Sequence, residues 1–220
     1  YSSAASDVYK RQILYMYYLC ENYSSNAEAK YLVDNVEMYF VPLSNPDGYI
    51  YNETTDPNGG GMWRKNRFDN GDGTIGVDLN RNYGYNWGYD NWGSSPNTNA
   101  NTYRGATAFS EIETQNIRDF CNAHDFKLAF SNHTYGNLLI YPWGYAPLYT
   151  PDSAQFSEYG EHLTTFNKYS YGTDVQTVLY STNGSTDDWF YGEQTSKAKT
   201  FGMTPEAGRS DEGFWPPAFR

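Results

Sequence analysis

Five short stretches of this chain carry residue types that do chemistry. Lys127 to Ala129 with Phe130 reads as a short buried strand. It runs out through Ser131-Asn132 to His133, ahead of a second apolar run at Leu138 to Tyr141. A histidine where a strand meets a loop suits a metal, because the sheet fixes its backbone while the loop leaves the imidazole accessible. Alone, His133 reads as an ordinary hydrogen-bonded residue, so its company has to decide. Trp63-Arg64-Lys65-Asn66-Arg67 gathers three cations into five residues, which by itself reads as a solvated face. Asp78-Leu79-Asn80-Arg81-Asn82 sets an Asn-Arg pair just past a short apolar piece. Leu179-Tyr180 leads into a glycine-bearing loop, Gly184 to Trp189, that contains Asp187 and Asp188. Thr204-Pro205-Glu206 leaves a carboxylate at a strand end. Arginine, asparagine and tyrosine together hold a carboxylate, the first as a bidentate fork and the others as single donors. A glutamate beside a metal-bound water acts as a general base.

Such residues need a frame. Ile13, Leu14, Tyr17, Tyr18 and Leu19 form a helical stripe ending near Asn22 and Tyr23. Residues 1–12 show no usable periodicity, and the abrupt change predicts an artefactual or foreign segment there. Val36, Met38 and Phe40 alternate with Glu37 and Tyr39, a strand pattern, and Asn45-Pro46-Asp47-Gly48 reads as a turn. From Tyr51 to Asn101 glycine, asparagine and aspartate dominate, which predicts long loops of the kind that carry function. Within them Asp69-Asn70-Gly71-Asp72-Gly73 lacks the ligand spacing of a calcium loop and reads as a plain turn. Ser110 and Glu113 form a capping-box pattern for a helix with Ile117, Phe120, Cys121 and His124 on one face, His124 closing the helix. Asp152 is placed to cap another helix, carrying Phe156, Tyr159, Leu163 and Phe166, with His162 on its surface. Val175 to Tyr180 and Lys199 to Thr204 read as strands, with a further helix starting near Ser185. Strands separated by helices predict a single α/β domain with a mixed, mostly parallel β-sheet and helices on both faces.

The chain has 220 residues, enough for one domain with a full core. A net charge of -11 argues against nucleic acid and anionic membrane surfaces as partners, and leans weakly toward basic substrates. No apolar run approaches the ~20 residues of a membrane span. Cys20 and Cys121 each fall in a helical stretch and read as two buried thiols. Four glycosylation sequons, Asn52-Glu53-Thr54 among them, are the chance yield of an Asn-rich chain.

In chain order, Asn45-Pro46-Asp47-Gly48, Trp63-Arg64-Lys65, Asp78-x-Asn80-Arg81-Asn82, His133-x-Tyr135 before Tyr141-Pro142-x-Gly144-Tyr145, Tyr180 before Asp188-Trp189, and Glu206 resemble the zinc carboxypeptidases of the carboxypeptidase A and B type. The resemblance covers roughly residues 13–217. It implies a zinc-carboxypeptidase-like fold, one zinc ion, and peptide or protein substrates with a free C-terminal carboxylate. It also implies a secreted, monomeric protein. By that resemblance His133 is the third zinc ligand and Arg64 stabilises the oxyanion of the tetrahedral intermediate. Asn80, Arg81 and Tyr180 clamp the terminal carboxylate, Tyr180 from a mobile loop, and Tyr135 adds to substrate binding. Glu206 is the general base. Asp187 occupies the place that, in carboxypeptidase B-like members, pairs with Lys or Arg, and Asp188 caps its helix.

One departure stands out. The family takes two further zinc ligands from an H-x-x-E motif, which should fall near Ser2 to Ser6. No H-x-x-E occurs in the sequence: His124, His133 and His162 are followed three residues on by Lys127, Gly136 and Thr165. Catalytic zinc takes three protein ligands, and one histidine binds it poorly. The chain also ends at Arg220, where family members continue into a further helix. The expectation is a partial catalytic domain, residues 13–220, truncated at both ends. It belongs to a metallocarboxypeptidase that removes single C-terminal residues, and it is inactive as it stands. The alternative is a zinc-less module that binds peptide C-termini. A sugar-binding surface built on Tyr83, Tyr85, Trp87, Tyr89 and Trp92 is a third reading.

Overall fold

The computed structural model describes residues 6–217. Two helices open the chain, α1 (Ser6–Asn22) and α2 (Ala27–Asn35), the second capped by Asn26, whose side chain accepts from the Glu28 and Ala29 amides. Helix α1 starts at Ser6, within the stretch read from sequence as unpatterned; residues 1–5 lie outside the described residues. Val36 to Phe40 does not form a strand. Val36 has extended dihedrals, yet the segment pairs with no other among the described residues, and Val36 and Tyr39 stay exposed. The Asn45-Pro46-Asp47-Gly48 turn is the start of α3 (Pro46–Thr55): Asn45 caps it by accepting from the Gly48 amide at 3.0 Å, and proline takes the first helical position, where no amide donor is needed.

Long loops follow, as the glycine and asparagine content predicts, broken by a 3-10 turn at Leu79–Arg81. Helix α4 (Ile112–Asn122) then packs beside β1 (Leu128–Phe130). The Ser110 capping box does not form, because Ser110 Oγ donates to Glu111 and accepts from Asn82 Nδ2. Strands β2 (His133–Thr134) and β3 (Leu138–Ile140) lead to α5 (Ser153–Leu163). Asp152 precedes α5 without capping it; its carboxylate accepts from Tyr191 and Lys199 instead. The strand expected at Val175 to Tyr180 is displaced: β4 is Ser170–Gly172, and Thr173 and Gln176 form a capping box that turns the next residues into α6 (Asp174–Thr177). Helix α7 (Thr186–Gly192) and β5 (Phe201–Ala207) complete the fold.

The five-stranded sheet runs β1-β5-β3-β4, with β2 also on β5. Three pairings are parallel and β3·β5 is antiparallel. β5 organises it. Alternate residues of a strand face opposite sides. Met203 and Phe201 pack with Phe156 of α5 and Tyr191 of α7. Ala129, the register partner of Gly202, packs on the other side with Ile117 and Phe120 of α4. Thr204 and Glu206 fall on the Gly202 side. The two thiols differ: Cys121 is buried, whereas Cys20 is exposed, against expectation. No helix among the described residues is long and apolar enough to cross a membrane.

Candidate active site

The parallel register of β2 on β5 sets His133 beside Glu206. Both are buried, with His133 Nδ1 3.7 Å from Glu206 Oε1 and His133 Nε2 3.0 Å from Ser131 Oγ. Burial pushes the imidazole well below its ordinary pKa, and the Arg64 and Arg81 charges act the same way, so the ring is neutral. Burial pushes the Glu206 carboxyl up to about 8; the Asp174 and Asp187 charges add to this and Arg64 opposes it. Glu206 Oε2 is buried and finds no hydrogen-bond partner among the described residues.

The Asn-Arg pair is held by its own backbone. Asp78 accepts from the Asn80 amide at 3.2 Å, which turns the chain into the 3-10 turn, and its other oxygen lies 2.7 Å from Arg64 Nη2. Arg81 is buried; Nε donates to the Gly93 carbonyl at 2.8 Å and Nη1 to the Asn80 carbonyl at 2.7 Å. Asn80 Oδ1 accepts from the Thr186 amide at 2.9 Å and its hydroxyl at 2.8 Å, tying the pair to the start of α7. With its oxygen so engaged, Asn80 offers a ligand its NH2 group. Gly184 permits this closeness: its φ is +68°, and a Cβ there would lie 2.5 Å from the Arg81 carbonyl.

Asn80, Arg81, His133, Tyr180, Asp187 and Glu206 line one hollow of about 310 Å³ including its open mouth. Six of the eight residues singled out from sequence therefore converge. Arg64 stands behind the lining, on Asp78. Tyr135 does not reach the hollow and packs instead with Tyr49 against Phe214 and Trp215. Asp188 does not cap α7; its carboxylate accepts from the Gly144 and Tyr145 amides at 2.8 and 3.0 Å. Sequence reasoning missed Asp174, Thr182 and Thr204, which share the lining. Thr204 was within reach, since it lies two residues before Glu206 on the same face of β5. Of the histidines set aside, His124 bonds the Phe120 carbonyl and stacks on Phe126, and His162 is exposed. The aromatic loop packs inward: Tyr85 stacks on Trp143 and Tyr83 packs with Trp189, while Trp92 stands exposed. Three of the four sequon asparagines, Asn52, Asn132 and Asn183, are buried.

A profile of the zinc carboxypeptidase family matches residues 10–220. The chain belongs to this family. It is 33% identical over 191 residues to carboxypeptidase A1 of Rattus norvegicus, covering 83% of this chain and 44% of that protein. It is 33% identical over 204 residues to the zinc carboxypeptidase of Simulium vittatum, covering 89% and 64%. It thus spans less than two thirds of either relative. Among solved structures, thrombin activatable fibrinolysis inhibitor superposes with a TM-score of 0.79 at 26% identity, over 92% of this chain and 51% of that one. Carboxypeptidase A from Helicoverpa armigera gives 0.64 at 29% identity, over 88% and 47%. These likenesses agree with the open, mixed α/β sheet described above.

The family implies zinc, and the donor set tests it. Catalytic zinc needs three protein ligands. At the hollow the described residues supply one imidazole, His133, and among them no group of three His, Cys, Asp or Glu side chains is arranged to hold a metal. The described residues by themselves do not make a zinc site.

Proposed function

We propose that the protein is a metallocarboxypeptidase, removing single residues from peptide C-termini by zinc-assisted hydrolysis. The described residues supply its substrate-recognition half, within a catalytic domain of which residues 13–220 are part. What carries the reading is the convergence of Asn80, Arg81 and Glu206 on one hollow. The Arg81 fork and the Asn80 amide take the terminal carboxylate, and Tyr180, exposed at the rim, closes over it. A buried arginine that has lost water rejects peptides without a carboxylate, which confines action to chain ends. Glu206 takes the proton of the attacking water, and the family resemblance assigns the oxyanion to Arg64, which in this structure lies against Asp78 outside the lining of the hollow. His133 would supply one ligand to a zinc ion whose remaining ligands the described residues do not provide. Asp187 inclines the side-chain pocket toward C-terminal Lys or Arg; equal kcat/KM for peptides ending in Arg and in Phe would remove that preference. The protein is secreted and acts as a monomer.

The single imidazole favours a second reading, a zinc-less module that binds peptide C-termini without cutting them. Zinc titration and hydrolysis assays on this chain, beside one extended upstream by its natural reading frame, separate the two. The enzyme reading expects stoichiometric zinc and hydrolysis in the extended protein alone. Binding without hydrolysis in both establishes the module.

A further inference from the structure

The main chain on either side of Arg64 is pinned. Asn52 pairs with the backbone of Trp63, accepting from its amide at 3.1 Å and donating to its carbonyl at 2.7 Å. Asn45 Nδ2 donates to the Lys65 carbonyl at 3.1 Å. What freedom Arg64 keeps therefore lies in its side chain. Asp78 is fixed altogether. It is buried, its amide donates to the Tyr103 carbonyl at 2.8 Å, and Oδ1 accepts from the Asn80 amide. The two residues meet through Arg64 Nη2 and Asp78 Oδ2, 2.7 Å apart.

That contact is an ion pair without an aligned hydrogen bond: Asp78 Oδ2 is buried and finds no hydrogen-bond partner among the described residues. Such a pair is weaker than a forked, charge-assisted one, so a better-shaped anion displaces it. Arg64 also stands close to the hollow that it does not line. Its charge acts on His133 and on Glu206, which do line it. The Arg64 side chain is 16% exposed against 1% for Asp78, so the guanidinium is the partner with room to turn.

Building on the carboxypeptidase reading above, we propose that Asp78 is a latch: it holds Arg64 beside the hollow, and an oxyanion arriving there draws the guanidinium across by side-chain rotation alone. A peptide carbonyl carries no net charge and leaves the pair intact. A tetrahedral oxyanion offers a full charge with lone pairs that suit the guanidinium fork. Asp78 is thus a positioning residue, and the latch adds Arg64 to the site at the stage where negative charge develops. Asp78→Asn separates charge from shape, because the amide oxygen still accepts from the Asn80 amide and keeps the 3-10 turn.

Two measurements on the full chain test the latch. Phenylglyoxal adds to the neutral guanidine, a form that a carboxylate partner suppresses, and peptide mass spectrometry reads the rate at Arg64. Asp78→Asn should raise that rate about tenfold, the scale of one pKa unit, while Arg67, which stacks on Tyr51 and Trp63, keeps its own. An unchanged rate at Arg64 overturns the proposal. Calorimetry then compares an acetylated dipeptide acid with a phosphonate analogue that carries a tetrahedral anion in place of the peptide carbonyl. The phosphonate-over-peptide affinity ratio is expected to rise about tenfold in Asp78→Asn and to fall about tenfold in Arg64→Gln. A ratio that holds or falls in Asp78→Asn, as a mere brace for Arg64 would give, overturns the latch. So does an Arg64→Gln chain with the wild-type ratio, which decides the matter if Asp78→Asn does not fold. An acid peptide no tighter than its amide removes the carboxypeptidase reading, and the labelling rates then judge the latch alone.

Discussion

The two sides of the hollow are built differently. On the clamp side, Arg81 is braced by the Gly93 and Asn80 carbonyls, and Asn80 by Thr186, so the geometry is complete within a few neighbouring loops. On the sheet side, His133 and Glu206 are buried together at 3.7 Å, and one glutamate oxygen has no partner among the described residues. The proposed clamp residues are held by bonds to neighbouring backbone, whereas the imidazole and carboxyl form a buried polar pair with little compensation. Substitutions on the two sides should therefore differ in sign as well as size.

The largest effect is expected at Arg81. Arg81→Met removes the fork and the cation that serves Asp174 and Asp187, and should cost about 3–5 kcal/mol of stability. Urea unfolding measures it; a loss below about 1 kcal/mol would make the clamp side no better braced than the other.

The next effect is a pH dependence. In the fold Asp174 keeps its proton up to about pH 7, while unfolded it releases it near 3.8. Between those values the folded state binds a proton that the unfolded state lacks. Its contribution therefore falls as pH rises from about 4 to 7, by at most about 1.4 kcal/mol per unit. Asp174→Asn should flatten this slope in unfolding curves taken across the window, and an unchanged slope assigns the titration elsewhere.

Asp188→Ala leaves the Gly144 and Tyr145 amides without their acceptor and should destabilise by about 2 kcal/mol. Glu206→Gln should be the smallest change and opposite in sign, a gain of about 1 kcal/mol at pH 8, because it removes a poorly compensated buried carboxyl. A loss there would mean that the sheet side is as well satisfied as the clamp.

The same contrast governs what could be read from sequence. The clamp residues sit in short stretches whose order along the chain identifies them, and local bonds such as Asp78 to the Asn80 amide fix them. β3, β5 and the start of α7 were legible from apolar runs and breakers. Asp174 was hidden because Val175 to Tyr180 has the alternation of a strand, while the Thr173–Gln176 capping box bends it into a helical turn. Asn45-Pro46-Asp47-Gly48 has the composition of a turn and of a helix start alike; the cap bond to Gly48 decides it. Val36 to Phe40 has strand alternation, but a strand also needs a neighbour, and periodicity cannot show one. Tyr135 lies past the end of β2, where alternation no longer assigns a face, so its packing against Trp215 had no local signature.

The central claim is that Arg81 and Asn80 form a receptor for a peptide's terminal carboxylate at this hollow. The most direct measurement is the affinity of the wild-type chain for one acetylated peptide as its free acid and as its amide, repeated with Arg81→Met. The account predicts an acid at least tenfold tighter than the amide, with the difference gone in the variant. Equal affinities for the acid and the amide in the wild-type chain would contradict it.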